Sequence, residues 1–123
     1  MSQIASAQRV IVKVGSSTLT HEGGRLNFRR IDLLARTLSD LKNSGREIVL
    51  VTSGAQAAGV AKLGLPGKPA DLPGRQAAAA VGQCELMHIY DKAFEEYGHT
   101  VAQVLLTRDV VDEPTRLENV TNT

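Results

Sequence analysis

Val10-Ile11-Val12-Lys13-Val14-Gly15-Ser16-Ser17 is the stretch whose reading decides the fold class. Its β-branched run reads as a strand buried on both faces, the pattern of a parallel sheet. Lys13 interrupts the run one residue before its end, and a Gly-Ser-Ser turn follows at once. Ligands of open α/β sheets collect just beyond the carboxyl ends of the strands. A cation and small residues with free backbone N–H groups therefore stand where an anion would dock. The competing reading is a strand-end lysine pointing at water.

Outward from this strand, His21-Glu22-Gly23-Gly24-Arg25 reads as a polar loop. Asn27 is placed to cap a helix whose apolar residues Phe28, Ile31, Leu34, Ala35, Leu38 and Leu41 recur every three or four positions. Asn43-Ser44-Gly45 ends it, with Gly45 in the left-handed terminating position. Ile48-Val49-Leu50-Val51-Thr52 is a second unalternating strand, stopped by Ser53-Gly54-Ala55. Strand, helix and strand make a βαβ unit with a parallel pair, so the fold class is α/β. Gln56 to Leu63 is Ala-rich and predicts a helix closing at Gly64. Residues 64–74 hold three of the four prolines and read as a long irregular loop. The spacing then predicts a long helix from about Arg75 to Tyr97, burying Leu86, Ile89, Tyr90, Ala93, Phe94 and Tyr97 and stopped by Gly98. The run Ala77–Ala80 permits close packing. A third strand is expected over Thr100–Leu106, ending in Thr107-Arg108-Asp109, with a short helix from Pro114. Three buried strands leave an edge bare, so the sheet reads as part of something larger.

The 123 residues suffice for one domain with a real core. A formal charge of +1 gives no electrostatic case for a nucleic-acid or membrane partner, and 3% aromatics with no Trp give no base-stacking platform. Cys84 is alone, so no disulfide framework forms and a reducing compartment is the default. Met1 to Gln8 carries no apolar signal core, and no apolar run reaches the roughly 20 residues of a membrane span. These points lead to a cytoplasmic location. His21, His88 and His99 lack metal-ligand spacing, and no metal site is expected.

Three turns stand at the carboxyl ends of the three expected strands: Gly15-Ser16-Ser17, Ser53-Gly54-Ala55 and Thr107-Arg108-Asp109. In a parallel sheet all three share one edge. Two lack bulky side chains, which lets a ligand approach the backbone. Familiar phosphate motifs are missing. Gly54 and Gly59 have P-loop spacing, but Val60-Ala61 follows where Lys-Ser/Thr is required. No dinucleotide fingerprint follows a strand, and no nucleophile elbow is present. Cys84 reads as a plain helical cysteine and His88 as structural. Asp109, Asp112 and Glu113 read as a solvated acidic helix start, with cation ligation as the alternative.

Four blocks carry a resemblance: 12–17, 51–59 with Leu63-Gly64-Leu65 beyond it, 76–83, and 101–108. In this order, and over essentially the whole chain, they resemble the amino acid kinase family, and within it the branch that phosphorylates L-glutamate. The resemblance implies a three-layer αβα sandwich with a mostly parallel sheet. Residues 1–123 would be its amino-terminal part, hence incomplete and inactive alone. It further implies phosphorylation of the side-chain carboxylate of L-glutamate by MgATP, the first step of proline synthesis. Lys13 matches the catalytic lysine that contacts the transferring phosphoryl group. With it, Gly15, Ser16 and Ser17 match the ATP-phosphate turn, while Ser53, Gly54 and Ala55 match the glutamate-binding turn. Proline as a feedback inhibitor at the glutamate site and assembly as a homo-oligomer are also implied. Physically the set is coherent: phosphoryl transfer needs positioning and cationic stabilisation, and a carboxylate nucleophile is already ionised at pH 7. Gln56, in place of the family's usual aliphatic residue, and Leu117-Glu118-Asn119, in place of aromatic-Leu-Asn, depart from the pattern outside the first two turns. The alternatives are another carboxylate or carbamate kinase of this fold, a non-catalytic glutamate- or proline-binding module, and self-association through the exposed sheet edge.

Overall fold

A computed structural model describes residues 2–123, and Met1, the start of the polar N-terminal stretch, lies outside them. Its centre is the expected βαβ unit. Strand β1 (Arg9–Val14) pairs in parallel with β2 (Glu47–Thr52), Val10 opposite Ile48 and Val14 opposite Thr52. The elements before the crossover are α1 (Ser2–Ser6) and the single turn α2 (Ser16–Leu19), neither of which the apolar pattern announced. The crossover itself is α3 (Phe28–Asn43). Asn27 accepts from the Arg30 N–H at 3.1 Å and so caps α3, while Gly45 stops it at φ 96°. Ile31, Ala35 and Leu38 of its stripe are buried, but Phe28 lies at the helix start and stays 64% exposed.

The strands are covered on one face, not both. Val10, Val12 and Val14 alternate with exposed Arg9, Ile11 and Lys13, and β2 alternates in the same phase. Val14 joins a core of Leu19, Leu26, Ile31, Ala35, Leu38, Ala58, Leu86, Tyr90 and Phe94, with Val12, Ile48 and Leu50 packed against it. The opposite face carries Ile11, Val49 and Val51, exposed by 65%, 45% and 45%. Apolar residues occupy both faces in sequence, so no alternation was visible there. The architecture is an incomplete α/β sandwich with one helical layer on its sheet.

After β2 come α4 (Ala55–Lys62), α5 (Leu72–Glu95), α6 (Arg108–Asp112) and α7 (Pro114–Asn122), the last starting where Pro114 predicted. Helix α5 begins three residues earlier than expected, and Leu72, Pro73 and Gly74 belong to it rather than to the loop. The Asp71 carboxylate accepts from the Gly74 N–H at 3.0 Å, and a proline in the first turn loses no helical hydrogen bond. Ala78, Gly82, Leu86, Tyr90 and Phe94 form its buried stripe, with Ile89, Ala93 and Tyr97 partly buried at its side. Tyr97 donates to Asp32 at 3.0 Å and fixes the end of α5 to α3. His88 is exposed and takes no part in the core, correcting its structural reading.

The third strand does not form. Residues 100–106 are neither strand nor helix and make no backbone hydrogen bond to another segment among the described residues. A strand exists only with a neighbour to complete its ladder. Leu105 accordingly stands 71% exposed. No described helix is long and apolar enough to cross a membrane.

Helices α4 and α5 touch through backbone. A Cβ at Gly59 would fall on the Ala78 carbonyl, and one at Gly82 on the Ala55 carbonyl. Gly82→Ala must therefore separate the helices, and we expect a loss of about 3 kcal/mol of unfolding free energy. Gly67→Ala, with nothing within 4 Å of its Cβ, is the matched control. Urea unfolding of both variants checks this; an undiminished midpoint for Gly82→Ala contradicts the contact.

Candidate functional site

Because β1 and β2 run in parallel and end level, their following turns lie on one rim. The Ser53 N–H donates to the Val14 carbonyl at 3.2 Å, carrying the pairing one step past the strands. Lys13 stands opposite Val51 on the uncovered face, two residues before Ser53 along β2. It is exposed and has no ion pair or hydrogen bond among the described residues. Its amine is free to meet a ligand rather than committed to the aliphatic interior.

Each turn carries a glycine, but only the second depends on it for its backbone. Gly15 is extended at φ −87° and ψ 167°, and a Cβ there would meet nothing within 4 Å. Ser16 and Ser17 are exposed beside it, while Leu19 is fully buried and pins α2 beneath the rim. On the other side Gly54 takes φ 106°, a conformation that side chains resist, and opens α4 at Ala55. Leu19 Cδ1 lies 3.7 Å from where a Gly54 Cβ would be, so the helix that follows Gly15 packs a leucine against the Gly54 turn. Free amides at the start of α4 face the rim with the positive end of the helix dipole. Lys13, Gly15, Ser16, Ser17, Ser53, Gly54 and Ala55 thus come together.

The third turn does not join them. Thr107 precedes α6 instead of ending a strand, and its hydroxyl donates to Asp109. Asp109 pairs with Arg116, and Glu113 caps α7 by accepting from the Thr115 and Arg116 N–H groups at 3.2 and 2.8 Å. The acidic cluster is thus engaged in holding helices. Among the described residues no group of three or more His, Cys, Asp or Glu could hold a metal ion. Cys84 is an exposed residue in the interior of α5.

Sequence reasoning missed three contributors. Arg30 Nη1 donates to the Ser17 and Thr18 carbonyls at 3.5 and 3.3 Å, bracing α2 from α3. Beside it an open pocket of about 400 Å³ is lined by Ser17, Thr20, His21, Glu22, Asn27 and Arg30. Thr52 and Tyr90, 2.7 Å apart through their hydroxyls, stand directly behind Ser53. Burial pushes the Tyr90 phenol up, opposed by its hydrogen bond to Thr52. A hydroxyl on an otherwise apolar helical stripe was the available signal for Tyr90.

Lysine and glycine at this rim have separable effects on stability. Lys13→Met is expected to leave the unfolding free energy within about 0.5 kcal/mol of the parent, since no side-chain hydrogen bond or ion pair is lost. Gly54→Ala forces a side chain into the left-handed region and is expected to cost about 1–2 kcal/mol. Thermal unfolding distinguishes them; a large loss for Lys13→Met would give that residue a structural role.

Residues 8–123 match the amino acid kinase family. Glutamate 5-kinases of Listeria welshimeri and Clostridium perfringens are each 55% identical over 120 residues, 98% of this chain and 44% and 45% of theirs. The glutamate 5-kinase of Enterococcus faecalis is 51% identical over 122 residues, 99% of this chain and 45% of its own. The chain therefore spans less than half the length of these curated relatives. No part of the βαβ unit or of its rim falls outside the matched residues, and the chain belongs to the amino acid kinase family.

Proposed function

We propose that this chain is the glutamate-binding, amino-terminal part of a phosphotransferase converting ATP and L-glutamate to ADP and L-glutamyl 5-phosphate, the first step of proline biosynthesis. The observation that carries the reading is the free Lys13 beside the Ser53 turn on one rim. The names of the relatives supply the substrate. In this reading Ser53, Gly54 and Ala55 hold the glutamate carboxylates through hydroxyl and backbone N–H groups. Gly15, Ser16 and Ser17 face the ATP phosphates, and Lys13 neutralises charge that grows on the transferring phosphoryl oxygens. The nucleophile is an ionised carboxylate, so no general base is required at the turns.

MgATP is the co-substrate. The open space above Gly15 and the exposed hydroxyls of Ser16 and Ser17 fit phosphate oxygens. In this reading Mg²⁺ is carried to the rim on the nucleotide. Proline competes at the glutamate turn, the protein is cytoplasmic, and the complete protein is a homo-oligomer. A span of less than half of a relative's length supports binding without turnover by the 123 residues alone.

Calorimetry of the chain with L-glutamate is expected to give saturable heat that proline suppresses, and Ser53→Ala is expected to weaken binding about tenfold. A coupled ADP-release assay with glutamate and MgATP is expected to show no turnover. Absence of glutamate heat contradicts the substrate assignment, and clear turnover contradicts the partial character of the site.

A further inference from the structure

The geometry points to Tyr90 as a positioning residue for the Gly54 amide, acting through Thr52. The inference rests on the reading of Ser53, Gly54 and Ala55 as the substrate turn. Tyr90 is 3% exposed within the α5 stripe, and its Oη lies 2.7 Å from Thr52 Oγ1. Thr52 Oγ1 in turn lies 3.0 Å from the Ser53 carbonyl oxygen. A carbonyl only accepts, so the single Thr52 proton goes to Ser53. Tyr90 must then donate to Thr52. The order is fixed: Tyr90 O–H to Thr52 Oγ1, Thr52 O–H to Ser53 O.

This relay sets the direction of one peptide group. Thr52 shares the covered face of the sheet with Val14, so the Ser53 carbonyl is held towards the helical layer. In a trans peptide the carbonyl and the following N–H point in opposite directions. The Gly54 N–H is therefore directed away from α5, towards the side of the sheet that bears Lys13. That N–H has no hydrogen-bond partner among the described residues. Gly54 sits at φ 106°, where glycine has broad freedom, so its peptide needs an external tether to keep one orientation. A buried phenol that merely satisfied itself would need one acceptor. Here the acceptor passes the constraint on to the backbone of the site.

Three variants of the labelled chain test the relay: Tyr90→Phe, Thr52→Val and Thr52→Ser. In the free chain, the Ser53 carbonyl and Gly54 amide resonances are expected to shift in Tyr90→Phe and Thr52→Val. In Thr52→Ser, which keeps the hydroxyl, they are expected to remain near the parent positions. In titrations with L-glutamate the first two variants are expected to bind about five- to tenfold more weakly, with Thr52→Ser close to the parent. Unmoved resonances in Tyr90→Phe overturn the positioning role, whatever glutamate does. Moved resonances with undiminished glutamate affinity overturn its relevance to binding. A parent chain that binds no glutamate defeats the substrate reading alone, and the free-chain resonances still decide the relay. Tyr90→Phe keeps the ring and its packing, so the relay remains testable even where Thr52→Val fails to fold.

Discussion

Parallel pairing of β1 with β2 is the constraint on which the rest depends. Two strands running in one direction cannot be joined by a tight turn, so α3 must cross over and lie on one face. The same pairing brings both carboxyl ends to one level, with Val14 opposite Thr52. Whatever follows each strand then shares a rim. Strand alternation places Lys13 on the uncovered face, two residues before that rim. An antiparallel pair with the same residues would send Gly15 and Ser53 to opposite ends of the sheet.

The helices behind the rim serve its geometry as well as the core. Helix α4 starts directly after Gly54, and α5 receives it at backbone distance through Gly59 and Gly82. Leu19, the one buried residue of α2, packs from the helix after the first turn against Gly54 of the second. Arg30 holds the carbonyls of α2, while Asn27 caps the helix from which Arg30 extends. Side-chain-poor turns are thus made definite by larger residues one layer below, which is how a binding surface can be both open and rigid.

Legibility in the sequence followed the range of the interactions. The βαβ unit was readable because α3 shows its stripe within the segment itself and Gly45 marks its end. The two glycine turns were readable because Gly and Ser after a strand are local signals. Residues 100–106 were misread: their β-prone composition is local, but a strand needs a partner to complete its ladder. The start of α5 was misread because Pro73 counts against a helix until Asp71 is recognised as its cap. The uncovered face was invisible, since Ile11, Val49 and Val51 are as apolar as Val12, Ile48 and Leu50. Thr52 and Tyr90, 38 residues apart, meet only in the folded chain.

Chemical-shift mapping of the labelled chain with added L-glutamate tests the shared rim most directly. The largest changes are expected to fall together on Ser53, Gly54 and Ala55, to reach Lys13 on the neighbouring strand, and to spare the outer faces of α5 and α7. Changes gathered elsewhere, such as the pocket beside His21 and Arg30, would contradict a shared rim.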